Sequence, residues 1–174
     1  MVEQKKTVIA YPFTGVMGNS YWRDIGTLDA YYQAHMDLVS VTPQCNLYDP
    51  KWPIHTVYSP FPPAKMVFSG GEDGRRVGTV LDSVVCNGAI ISGGRVSRSI
   101  ISPNVRVNSY AEVDNSILME GVSIGRNCRI RNTIIDKYVT VPPGTMIGYD
   151  LDEDRKRFDI SPGGIVVVAK FTAF

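Results

Sequence analysis

Histidine is nearly missing from this sequence. Of 174 residues only His35 and His55 are histidine, and none follows residue 55. No histidine general base or metal ligand can therefore come from the C-terminal two-thirds of the chain. Cysteine is scarce as well: Cys45, Cys86 and Cys128 are odd in number, scattered and without a close pair. That excludes a disulfide framework and a zinc site of paired cysteines. Long hydrophobic runs are absent. No stretch approaches the ~18–20 apolar residues of a membrane span, and the start, MVEQKKTVIAYPF, carries no apolar run of the signal-peptide kind. A soluble, cytoplasmic protein is expected. Net charge is also lacking. Eighteen Lys+Arg against 17 Asp+Glu leave +1, so nothing draws the chain as a whole to nucleic acid or to an acidic membrane. What remains is 44% hydrophobic residues, enough for one large domain or two small ones.

The C-terminal half has a repeat. Val84, Ile101, Leu118 and Ile135 stand 17 residues apart, as do Ile90, Val107, Ile124 and Val141, and Val96, Val113, Ile130 and Ile147. Each coil thus carries three apolar stations separated by 6, 6 and 5 residues. This spacing predicts a left-handed parallel β-helix of hexapeptide type, in which each step forms one flat side of a triangular coil. A single short strand cannot bury its inward side chain, but stacked coils bury each station against those above and below. Val and Ile suit an inward position on a flat strand. Gly88, Gly93, Gly94, Asn104, Asn108, Gly121, Gly125, Asn127 and Gly144 fall at the expected corners, where tight bends require positive φ. Cys128 shares a column with Ala111 and Thr145 and is read as a small, buried, unreactive side chain. On this register Ile124 points inward and Arg126 outward.

Three parts follow: residues 1–55, which do not obey the repeat, a Pro- and Gly-rich connector over 56–78, and the β-helix with its cap over 79–174. In the first part Thr7–Phe13 reads as a strand. Thr27 can cap a helix reaching about Ser40, with Leu28, Tyr31, Tyr32, His35 and Leu38 on one stripe. Asn46–His55 is turn-rich. So short a segment makes a poor core of its own, yet it is rich in Tyr and Trp, which implies a covering partner. At the far end Asp150–Phe158 reads as a short capping helix, acidic first and basic last. Ile165–Ala169 reads as a final strand, closing an end that would otherwise present unpaired edges.

The runs YWRDIGTLDAYYQAHMDLVS and LYDPKWPIHT, the PPAK of the connector, the repeat itself, DEDRKRF and GIVVVAK occur in this order. Together they resemble the C-terminal part of bacterial ADP-glucose pyrophosphorylase (glucose-1-phosphate adenylyltransferase), from Val2 to Lys170. Family members are more than twice as long. Their first part is a Rossmann-like nucleotidyltransferase domain that opens with a Gly-rich phosphate loop, and no GxGTRL-like sequence occurs here. The resemblance implies that this chain starts in the last strand of that domain, so that 1–55 is an incomplete α/β remnant of it. No catalytic set is then complete in this chain.

The resemblance also implies a reaction, in which ATP and glucose 1-phosphate give ADP-glucose and pyrophosphate in glycogen biosynthesis, with Mg²⁺ aligning the phosphates. By motif position Asp24 resembles a Mg²⁺-binding carboxylate, and Tyr21 and Trp22 would line the glucose side. Read from the residues alone, Asp24 is equally a capping acid at a helix N-terminus. In the family an anionic effector binds between the two domains. Lys137 in IIDKYV and Lys170 in VVVAK match basic residues of that cleft, with Arg75, Arg76, Arg155 and Arg157 as additions that are equally ordinary surface. A second basic residue four places after Lys170 is not kept, since Phe174 stands there. The implied assembly is a homotetramer, with self-association of the isolated chain.

Two readings from other classes stand beside this one. A stand-alone structural or regulatory β-helix subunit would need only the coils. A hexapeptide acyltransferase would need a histidine on a coil, and the coils have none.

Overall fold

The computed structural model describes residues 7–12, 21–70 and 76–174. The repeat folds as three parallel sheets, visited in turn by the chain. The first holds Lys65–Val67, Ile90–Ser92, Arg106–Val107, Ser123–Ile124 and Thr140–Val141. The second holds Thr79–Leu81, Arg95–Ser97, Glu112–Asp114, Arg129–Arg131 and Met146–Ile147. The third holds Val84–Val85, Ile100–Ile101, Ile117–Leu118, Thr133–Ile135 and Val166–Val168, with Asp159–Ile160 antiparallel at its end. The result is the expected left-handed parallel β-helix. Its first sheet begins at Lys65, inside the stretch read as connector.

Three inward rows form the core: Ile91, Val107, Ile124 and Val141; Val96, Val113, Ile130 and Ile147; Ile101, Leu118, Ile135 and Val168. None exceeds 1% exposure. Two expected stations are corrected. Ile90 pairs with Arg106 and Val84 with Ile100, so both belong to outward rows, and Ile91 and Val85 take the inward places. The cause is one short corner. Ile91 to Val96 is five residues, where Val107 to Val113 is six. The bend is made by Gly93, with φ 70°, and Gly94. A Cβ on Gly94 would meet the Asn108 carbonyl oxygen at 2.8 Å and that of Ala111 at 3.1 Å. Only a glycine lets the shortened corner lie so close to the next coil.

Each corner column carries one left-handed residue per coil: Asp82, Arg98, Asn115 and Asn132; Gly88, Asn104, Gly121 and Tyr138; Gly93, Tyr110, Asn127 and Gly144. Asn115 donates to the Asn132 side chain at 2.7 Å, one coil on. Beside that column runs a ladder of buried hydroxyls. Ser99 and Ser116 each donate to a carbonyl two residues back and accept the amide of the residue one coil later. Polar groups are thereby satisfied inside an apolar wall.

The cap is shorter than expected. Helix Leu151–Arg155 starts at Asp150, whose carboxylate accepts the amides of Asp152 and Glu153. It ends where Phe158 turns into the core. Asp154 is 1% exposed; it accepts the Gly148 amide at 2.7 Å and the Arg157 guanidinium at 3.0 Å.

Ahead of the coils, helix α1 spans Leu28–Asp37, with Thr27 accepting the Ala30 amide as N-cap. It lies on the outer side of the third sheet, where Ile100, Ile117 and Ile134 would otherwise face water. Tyr32 is buried there and donates from its hydroxyl to the Asn115 carbonyl at 2.7 Å. Asp29 accepts from Ser161 Oγ and, at 3.1 Å, from the Gly163 amide. The strand expected at Thr7–Phe13 is not found: residues 7–12 have no regular structure, and Phe13 lies outside the described residues. Among the described residues nothing pairs with them, and a lone strand leaves its backbone groups unpaired. No helix of the described residues is long and apolar enough to cross a membrane.

Candidate functional site

The residues expected at a functional site fall into two groups on either side of α1. The first is the segment leading into the helix. Tyr21 is half-buried, Trp22 is 81% exposed and Asp24 is exposed. A shallow pocket is lined by Tyr21, Trp22 and Arg23 on one side and by Asp37, Ser40, Thr42 and Gln44 on the other. An aromatic face above polar groups suits a sugar ring, which offers apolar C–H edges and hydroxyls. Asp24 is not among the lining residues. Its carboxylate lies beside Gly26. It does not act as the helix cap, because Thr27 fills that place.

The fit of this site to Mg²⁺ is incomplete. One carboxylate is a proper oxygen donor for a hard cation. Among the described residues, however, no three His, Cys, Asp or Glu side chains gather in a group that could hold an ion.

The second group lies at a corner of the coils. Asp136 joins the two lysines: its Oδ1 accepts the Lys137 amide at 2.6 Å and its Oδ2 the Lys170 amide at 3.3 Å. Both side chains are exposed, and the Lys170 ammonium stands 5.4 Å from the Tyr138 ring centre and 4.9 Å from that of Phe171. Among the described residues neither ammonium has a carboxylate within salt-bridge distance. Two unpaired cations on one corner attract an anion.

The additional arginines are mostly occupied. Arg157 binds Asp154 and the Met146 carbonyl, Arg155 pairs with Asp152, and Arg76 donates to Ser109 while lying over the Phe68 ring. Arg75 lies outside the described residues. Phe174, in the place of the missing basic residue, packs against Phe158 with ring centres 5.8 Å apart.

Between the two groups sits α1. The Tyr31 phenol is pushed up from its ordinary value by burial and by the nearby Asp136 carboxylate. The His35 ring packs against the Tyr31 ring, tilted by 43° with centres 4.2 Å apart, and its Nδ1 lies 2.9 Å from the Tyr31 carbonyl oxygen, a packed rather than a free imidazole. Cys128 is fully buried, its thiol donates to the Pro142 carbonyl, and burial pushes its ionisation upward. It is the inert side chain expected. Sequence reasoning gave no site role to Arg23, Asp37 and Asp136, and read Tyr31 only as part of the helix stripe. The alternation inside YWRD was the available signal for the first.

The family described as GlmU-like, C-terminal hexapeptide matches residues 62–168. A glucose-1-phosphate adenylyltransferase of Anaeromyxobacter sp. (strain Fw109-5) is 51% identical over 96% of this chain and 42% of its own length. One from Koribacter versatilis is 57% identical over 86% of this chain and 35% of its own length. A third, from Rhodopirellula baltica, is 54% identical over 94% and 37%. The chain therefore spans roughly two-fifths of the curated relatives it matches, in their C-terminal part.

Proposed function

The chain belongs to the GlmU-like C-terminal hexapeptide family, and we propose that it is the oligomerisation and effector-binding half of a glucose-1-phosphate adenylyltransferase. The whole enzyme would join ATP and glucose 1-phosphate into ADP-glucose and pyrophosphate, in the cytoplasm. One observation carries this reading. The hexapeptide match begins at residue 62, but identity to the adenylyltransferases covers 96% of the chain. It therefore includes the segment holding Tyr21, Trp22 and Asp24, for which a bare coil subunit or an acyltransferase would have no use.

In this reading Trp22 and Tyr21 receive the glucose ring. Asp24 supplies one ligand to a Mg²⁺ ion, whose role is to screen and align phosphate charge. The other ligands and the nucleotide loop come from outside this chain, so the chain alone is inactive and holds Mg²⁺ weakly or not at all. Lys137 and Lys170 bind an anionic effector. Ile9, Trp22, Tyr48 and Tyr58, each at least 78% exposed, form part of the surface that the rest of the enzyme covers, and a homotetramer is the assembly.

The deciding measurement is the intact mass of the protein in its source cells, followed by an ADP-glucose synthesis assay on that species. A species more than twice 19.2 kDa that makes ADP-glucose supports the reading. A native 19.2 kDa monomer that neither associates nor supports synthesis overturns it.

A further inference from the structure

The segment ahead of α1 alternates in burial: Tyr21 and Arg23 are half-buried, Trp22 and Asp24 exposed. Arg23, between the exposed Trp22 and Asp24, turns toward α1. Its guanidinium forms an ion pair with Asp37 and donates from Nη2 to Gln33 Oε1 at 3.3 Å. Gln33 and Asp37 are four residues apart and so lie on one face of the helix. A planar fork of donors can hold both acceptors at once, which a lysine point charge cannot do in the same way. Among the described residues, no other side chain of residues 21–26 makes a hydrogen bond. The helix at the other end of this anchor is fixed to the coils by Tyr32 and Asp29.

We infer that Arg23 is a positioning residue. By clasping Asp37 and Gln33 it holds its neighbours Trp22 and Asp24 in register with the β-helix. The inference rests on the reading that Trp22 meets the sugar and Asp24 the cation, and it gives that site its dependence on the coils. Arg23 thereby ties the substrate segment to α1, which Tyr32 and Asp29 tie to the coils. A partly exposed ion pair adds little to global stability, so loss of Arg23 should loosen the segment without unfolding the coils.

The test uses Arg23→Ala, Arg23→Lys and the exchanged pair Arg23→Asp with Asp37→Arg. Amide hydrogen exchange of residues 22–26 is followed in this chain. In the polypeptide that makes ADP-glucose, KM for glucose 1-phosphate and the Mg²⁺ dependence are followed. Arg23→Ala should speed the exchange, raise KM by roughly tenfold, as misplacement of a binding group does, and leave the thermal midpoint of the coils in place. Arg23→Lys should recover part of this, and the exchanged pair more. Unchanged exchange in Arg23→Ala overturns the inference, as does faster exchange with unchanged KM. A wild-type protein that makes no ADP-glucose in any assembly would instead sink the functional reading, and the exchange data alone would then decide whether Arg23 fixes the segment.

Discussion

The coils and the helix laid across them are held by different means. Inside the coils every inward side chain from Ile91 to Val168 is shut from water and belongs to one continuous apolar cluster. Across the earlier part the contrast is sharp: among the described residues up to Pro60, Tyr32 alone is buried. The coils are a continuous solid, whereas α1 is a docked element fixed by one apolar strip and two polar clasps. A one-dimensional stack resists point damage only through its neighbours, while a docked helix can leave by itself.

The largest expected effect tests the solid part. Ile124→Asp places an unpaired carboxylate in the centre of the stack. With no partner there, the cost is several kcal/mol, and chemical denaturation should show the coils unfolded or molten. Arg126→Asp, two residues on and exposed, should change stability by no more than about 0.5 kcal/mol. Equal effects at the two positions would break the inward–outward distinction.

The cap comes next. Asp154→Ala removes the acceptor of the buried Gly148 amide and the partner of Arg157. An orphaned buried donor costs about 1–3 kcal/mol, and Arg157 is itself half-exposed, so the ion pair adds little to that. The midpoint in denaturant should fall, and exchange should quicken at Ile147 and Val168 before it does at Val107. Uniform loosening along the stack would mean that the end coil is not a separate weak point.

Much of this was legible in the residues. The 17-residue period gave the coils, two of the three left-handed corner columns and the outward charges, because period and burial are linked by simple geometry; Gly94, Asn108 and Gly125, also read as corners, are not left-handed. The register slip at Ile90 and Val84 was not legible, since Ile90–Ile91 and Val84–Val85 are apolar doublets and either member can face inward. The same doublets, repeated at Ile100–Ile101, Ile117–Leu118 and Ile134–Ile135, carried an unused signal. A strand apolar on both faces is covered on both, and α1 is the cover. Tyr110 and Tyr138 at positive φ were signalled only by their columns, since 17 residues from each stands a Gly or Asn, while large side chains themselves rarely adopt it. Of the site, the residue types of YWRDIGT and the two lysines could be named from motif position. The clasp of Arg23 on Asp37 could not, because it depends on how a loop folds back on a helix.

The smallest effect separates the docked helix from the stack by pH. The Tyr32 phenol is pushed up to about 12 from 10.0, first by its burial and then by the nearby Asp114 carboxylate. A phenolate could not donate to the Asn115 carbonyl as the phenol does. Because the folded value is the higher one, docking holds its full strength below the unfolded value of 10.0 and weakens as pH climbs toward about 12. Exchange of the α1 amides, corrected for its intrinsic rise with pH, should therefore quicken across that window while the coil amides do not. Tyr32→Phe should loosen α1 at every pH by about 1 kcal/mol, the net worth of one neutral hydrogen bond, and should abolish this window. If the variant keeps the same pH dependence, another group governs the release of α1. If α1 and the coils loosen together, the helix is part of the solid and not a piece docked upon it.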